Sequence, residues 1–539
     1  MNFFSSPGFR LILFYLILVG FACSPIWAVE YFINHDGSAH LYSGYLMLEL
    51  LKGNPSVTEI YALNSITVPN SSGHWLLVLL LSFFSPFLVT KIIVTLTFSV
   101  FVAAVGWLRW QTAGAEGLKT SLLIGAAMGF NFLWFVGFYN FIIGACLFVV
   151  TLGLYYVWRE KLNAWRALIL ALLLLLTYFS HIVSFAILAG SILFLAFFSP
   201  KTRLKKTLAL TILAILPVLP VFLYYRTLGI AGGSFSPVWR NLANPFSIMS
   251  WLSQIRTADP FIIISRKTLP FVDAESNLFF IFAPLLWLGA AFFLLTAATW
   301  RKSEDNKWKN RLPFVILLFG SILTAMFAPD DFGLTNGSIL RERVLLCGLI
   351  FFIPLFRVET SGWLKRLAQI SLGFVIVFQT AALWEFSLQT NREAQDYFSV
   401  SAMITEKDSV FPVVLSGESR RFHSLPTTGM GNYLGIGRNI QVWNDYEIGH
   451  RLFPIVAKNE ADRQFMFDFP SAAVNLSNNS EESLDEKLSK LDSALAANHG
   501  KIKILLIWDS DPAVEAVFAK WFETEPFFTN GRVRLFRHK

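Results

Sequence analysis

The chain has 539 residues, of which 55% are hydrophobic, 16% aromatic and only 15% charged, with a formal net charge of +8. A soluble core requires no such apolar share, so the composition points to a multi-spanning membrane protein. The positive balance does not mark a nucleic-acid binder. Residues 385–539 hold 17 Lys+Arg against 21 Asp+Glu, and the excess of 27 against 15 in residues 1–384 lies in short loops between apolar runs, where the positive-inside rule and anionic lipid account for it.

In chain order, Arg10 precedes an apolar stretch that reaches Ala22 and runs on to Val29 without a small-x-small cleavage site, which reads as an uncleaved first span over 9–29. Further predicted spans cover 90–109, 119–136, 139–158, 166–181, 182–199, 207–228, 277–300, 312–328, 343–357 and 367–384. The apolar run 74–86 is short for a crossing and ends at Ser85-Pro86, so it is read as a partial or re-entrant helix.

Basic clusters at Arg10, Arg109 with Lys119, Arg159 to Arg166, Lys201 to Lys206, Arg301 to Arg311 and Arg357 to Arg366 set the orientation. With the spans above, all of them face inward. The 30–73, 229–276 and 329–342 loops and the C-terminal region then face outward. Cys23, Cys146 and Cys347 all fall in apolar runs and supply neither a disulfide framework nor a thiolate metal site.

Past residue 384 the texture changes. Strand-like runs at 410–415, 501–508 and 532–537 alternate with amphipathic helical stretches near 481–497 and 511–524, and the polar segment 475–482 reads as a loop. The expected fold class is an all-α polytopic membrane domain of about 11 to 12 transmembrane helices followed by a small α/β extracytoplasmic domain. The expected boundaries are 1–384, with its first outer loop at 30–73, and 385–539. Such a chain belongs in the inner (plasma) membrane.

Charged groups are nearly absent from the middles of the spans and gather at their predicted outer ends. There stand Glu30, His35, Asp36 and His40 after the first span, Asn140 at a tight turn, His181 between two spans, Arg226, and then Asp330, Asp331, Arg341, Glu342 and Arg343. A surface enzyme acting on a lipid phosphate needs a base, a phosphate clamp and an apolar slot. Asp36, at a low-dielectric boundary, suits the base. Arg341 and Arg343 suit the clamp, because planar guanidinium groups bind phosphate oxygens in bidentate fashion.

The run His35-Asp36-Gly37-Ser38-Ala39-His40-Leu41, the helix 39–52 after it, HWLLVLLLSFFSPF (74–87), GFYNFIIG (137–144), TYFSH (177–181) and the closing soluble region together resemble the GT-C superfamily of integral membrane glycosyltransferases. That resemblance implies a polyprenyl-phosphate-linked sugar donor, an outer-face glycan, lipid or protein acceptor, and Asp36 as catalytic base or metal-holding acid. His35, His40, Asn140, His181, Arg226, Asp330, Asp331, Arg341 and Arg343 fall to substrate binding.

The pattern departs from the family in two ways. No second acid stands close to Asp36, only Glu49 and Glu59, with Asp330-Asp331 as a substitute; and the C-terminal region has no WWD motif of the oligosaccharyltransferase type.

Plainer roles stand beside these. Asp36 is a favoured residue for capping the helix after it. His35 and His40 are too few ligands to assign a metal, although a divalent ion at Asp36 is left open, so no cofactor is named. His181 suits an interfacial residue satisfied by backbone, and Asn140 suits a hairpin. The two arginines suit headgroup anchors, and Trp239, Trp251 and Trp443 suit interfacial aromatics as well as sugar platforms. The rival functions are a transporter or flippase of lipid-linked saccharide, and a non-catalytic scaffold of the same fold.

Overall fold

A computed structural model describes residues 7–227, 258–264, 277–300, 311–330, 339–356, 362–405, 408–415, 424–466, 483–509 and 511–539, with isolated positions 237, 239, 247, 250, 251, 254 and 422. Asp331, most of the 301–311 basic cluster and the 475–482 loop lie outside the described residues.

The chain is mostly helical and falls into two compact units. One comprises Met1–Pro25, Val94–Trp134 and Tyr139–Ala382. The other comprises Ile26–Ile93, Phe135–Phe138 and Leu383–Lys539, so the first predicted outer loop groups with the C-terminal region.

The first unit is a bundle of apolar helices. Among the described residues, five helical segments have the length and hydropathy of a full crossing: Gly8–Trp27, Pro86–Ala113, Tyr139–Lys161, Leu204–Thr227 and Trp363–Met403. Six further apolar helices are shorter, among them Ala164–Ser180, Ile182–Ala196 and Leu312–Phe327.

Three predicted spans are interrupted, each for a local reason. The run 119–136 breaks into α6 (Leu118–Gly129) and α7 (Phe132–Val136). At the break the Asn131 amide donates to the Met128 and Gly129 carbonyls, and the Gln379 amide donates to those of Ala127 and Phe130, so the freed carbonyls keep partners inside the apolar bundle. The run 207–228 divides at Leu216-Pro217, where proline has no N–H to continue the ladder, into α11 (Leu204–Ile215) and α12 (Val218–Thr227). The run 343–357 is helical only over α15 (Leu340–Ile350), which starts three residues early and draws Arg341 and Arg343 from the predicted loop edge into a first helical turn.

In the second unit, α2 (Gly37–Lys52) ends where Gly53 adopts φ 73° and closes the helix on the Glu49 and Leu50 carbonyls. The apolar helix α4 (Ser72–Leu81) stops after ten residues, about 15 Å against the roughly 30 Å of a bilayer core, consistent with a partial helix. Helices α2 and α4 pack closely at Gly44, where a Cβ would sit 2.9 Å from the Leu77 Cβ.

A five-stranded mixed sheet forms the C-terminal part, in the order β3 (Gln441–Val442), β2 (Ser409–Val414), β5 (Ile504–Trp508), β7 (Val533–Arg537), β6 (Phe528–Asn530). The two strands at its centre, SVFPVV and ILLIW, are parallel and buried along their whole length, as expected of strands covered on both faces. Pro412 is tolerated there because β3 pairs only with Ser409 and Val410, leaving no partner on that side to receive the missing N–H. A separate antiparallel pair joins β1 (Tyr61–Leu63) of the first loop to β4 (Ile455–Ala457).

Candidate functional site

In the second unit Asp36 occupies the N-cap position of α2, yet its side chain makes no capping hydrogen bond and its backbone is helical (φ −78°, ψ −20°). Its own N–H donates to the Val136 carbonyl at 2.8 Å. Two glycines let neighbouring segments close on this turn. Gly137, at φ +93°, leaves no room for a Cβ, which would stand 2.7 Å from the Gly37 nitrogen. At Gly429, on the short helix Pro426–Met430, a Cβ would be 1.9 Å from the Ser38 hydroxyl and 2.5 Å from the His35 carbonyl. The glycine of the GFYN motif therefore serves to seat the Asp36 turn.

The Asp36 carboxylate, about one-seventh exposed (14%), instead lies beside the phenol of Tyr446. Desolvation first, and then the charges of Asp36, Glu447 and Asp445, raise that phenol well above its ordinary pKa, so it stays a donor. The His35 ring lies 3.7 Å from the carboxylate, a loose ion-pair distance.

One helical turn after Asp36, His40 is buried against Glu447, and the other oxygen of Glu447 lies 2.8 Å from Nε2 of His74. Burial pushes the Glu447 carboxyl up, but the two imidazoles outweigh that and hold it well below the usual range. Burial likewise opposes charge on His40, and Glu447, with a smaller contribution from Asp36, reverses it and raises its pKa. Beside them Asp445 accepts from the Ser43 hydroxyl at 3.3 Å and from the Glu447 N–H at 3.0 Å, and desolvation together with the Glu447 charge raises its pKa well above normal.

Glu447, Asp445, Tyr446 and His74 were not singled out from the sequence. The signals were present: a polar Asn444-Asp445-Tyr446-Glu447 run, and a histidine opening an otherwise apolar helix.

In the helical unit His181 is extended (φ −162°, ψ 126°) between α9 (Ala164–Ser180) and α10 (Ile182–Ala196). Its N–H donates to the Thr177 carbonyl and its Nδ1 accepts from the Val183 N–H, so it ends one helix and caps the next. The remaining proton of a neutral ring then sits on Nε2. The ring meets Phe141 edge-on, and the Arg343 guanidinium lies 5.6 Å from the same Phe141 ring.

Arg341, 1% exposed, is committed to the protein itself. It donates to the carbonyls of Ala325 (2.6 Å), Met326 (3.0 Å) and Gln254 (2.9 Å), and its remaining terminal nitrogen lies 3.5 Å from Asp330. It thus closes the C-terminal end of the Leu312–Phe327 helix. Asp330 is buried in this pair and accepts the Leu340 N–H through its carbonyl.

Asp259 was not singled out from the sequence, and Glu342 stood there among the polar residues of the outer ends without a site role. Burial, opposed by the Phe261 N–H and assisted by the Glu342 charge, pushes Asp259 up to about 7. Burial likewise raises Glu342. Asn140 is buried in the first turn of the Tyr139–Trp158 helix, whereas Arg226 is exposed at the end of α12. Of the tryptophans, Trp443 is buried and Trp239 exposed.

No family model matches this chain, and neither does any curated protein. Among solved structures it is similar to the arabinofuranosyltransferase AftD from mycobacteria, with a TM-score of 0.47 and 12% identity over 98% of this chain and 40% of that one. The chain therefore spans less than half the length of that protein, and the functional reading rests on the residues described above.

Proposed function

We propose that the chain is a membrane glycosyltransferase that moves a sugar from a polyprenyl-phosphate donor to a hydroxyl acceptor on the outer face, with Asp36 as general base. The observation that supports this reading is the behaviour of Asp36. An aspartate at an N-cap position normally spends its carboxylate on backbone N–H groups, and this one does not. It keeps partial exposure, a neighbouring phenol and a glycine-seated backbone.

A carboxylate so placed can take the acceptor proton as oxygen attacks the anomeric carbon, and the glycosyl–phosphate bond breaks with its electron pair going to the leaving lipid phosphate. A base without a partner nucleophile favours inversion in one displacement.

Incubation of the purified protein with a panel of radiolabelled polyprenyl-phosphate sugars tests the reading. Consumption of one donor by the wild type, lost in Asp36→Asn with donor binding retained, supports it. Lipid movement across vesicles that persists in Asp36→Asn without donor consumption would establish a flippase instead.

A further inference from the structure

We propose that His40, His74 and Glu447 form a binding site for one divalent transition-metal ion, best matched by zinc. The three side chains each offer one ligand atom, all within 4.8 Å of one another, and the residues are 4%, 0% and 0% exposed. They come from three separate segments of one compact unit: α2, α4 and the short helix Tyr446–Gly449.

The hydrogen bonding around His74 carries the argument. Its Nδ1 lies 3.0 Å from the Asn70 carbonyl, which can only accept, so Nδ1 bears the proton. A neutral ring then presents a bare lone pair at Nε2, and that atom lies 2.8 Å from a carboxylate oxygen of Glu447. Two lone pairs facing each other repel, so positive charge must stand between them.

His40 turns Nδ1 to the other Glu447 oxygen, and the two ring centroids are 5.1 Å apart. A single divalent cation between them meets all three groups. The Nδ1–H to carbonyl bond is also the outer contact that fixes the tautomer of metal-bound imidazole.

Two imidazoles and one carboxylate suit zinc and disfavour magnesium or calcium, which select oxygen ligands. Three protein ligands leave a position for water. The ring of Phe453 packs against both histidines and walls the site, and Gly44 permits the close α2–α4 packing that brings the two imidazoles together. The ion would tie the first loop to the C-terminal segment of the same unit. The proposal does not depend on the transferase reading, and it leaves Asp36 to Tyr446.

The test uses the full chain in detergent, purified without a polyhistidine tag, stripped with chelator and titrated with Zn2+. About one tight equivalent is expected, and Co2+ in its place should give the visible absorption of a tetrahedral site. The variants His74→Ala and Glu447→Gln should lose this equivalent while remaining monodisperse. Zinc K-edge X-ray absorption on the wild type reads two imidazole ligands without relying on any variant. Absence of a tight equivalent in the wild type overturns the proposal, as does a bound zinc without two imidazoles or an equivalent retained by both variants.

Discussion

The phenol of Tyr446 lies beside the carboxylate of Asp36, bringing the C-terminal region to the turn that opens the first loop helix. The carboxylate makes no capping bond to its own helix. Asp36→Asn is therefore expected to lower sugar transfer by roughly 100- to 10,000-fold, the usual share of a general base, with donor affinity unchanged. Tyr446→Phe, which removes only the neighbouring phenol hydroxyl, should lower turnover less. Single-turnover transfer beside equilibrium donor binding checks both.

Arg341 and Arg343 stand two residues apart on one helix, and Arg341 is the one held by three carbonyls and Asp330. Arg341→Ala removes the buried cation beside Asp330 and uncaps three carbonyls, so it should lower stability by about 3–5 kcal/mol. Arg343→Ala, which removes a guanidinium beside the Phe141 ring, should cost less stability. Thermal unfolding of the two variants in detergent compares them; equal loss of stability in both would remove the distinction.

Gly429 and Gly137 hold the Asp36 turn by being small. Gly429→Ala puts a methyl group into the His35 carbonyl, which is backbone and cannot rotate away, so adding Ser38→Ala should not rescue it. Gly137→Ala meets the Gly37 nitrogen and an unfavourable φ as well. Each should cost about 1–3 kcal/mol and reduce transfer, read by unfolding and by activity. Wild-type activity in Gly429→Ala would show that the turn is not closely seated.

Asp259 gives a pH dependence. Its folded pKa of about 7 lies above the ordinary 3.8, so the folded state binds the proton more tightly than the unfolded state. Stability then falls as pH rises from about 4 to about 7, and the penalty is complete above that, at most about 4 kcal/mol. Asp259→Asn should raise the unfolding temperature at pH 8 and leave it unchanged near pH 4. An equal effect at both pH values would assign the gain to packing.

The membrane class, the apolar helices and the central strands were legible in the sequence because each is set by local periodicity. The runs ILLIW and SVFPVV and the cap Gly53 carry their own signals. The TYFSH break was legible too, since a polar pair between apolar runs marks a junction. The interruptions at Asn131 and at Leu216-Pro217 were not read: the first depends on Gln379, far along the chain, to satisfy carbonyls, and the second on weighing one proline against a long apolar run.

What the sequence by itself determined is composition, helix content and the position of Asp36 at the mouth of the first loop helix, because these follow from nearest neighbours. What only the tertiary structure decided is company. Glu447 reaches His40 and His74, Tyr446 reaches Asp36, and Arg341 turns to carbonyls instead of solvent. Such pairings are fixed by how segments hundreds of residues apart pack, and no local periodicity encodes the distance between a buried carboxylate and the imidazoles that face it.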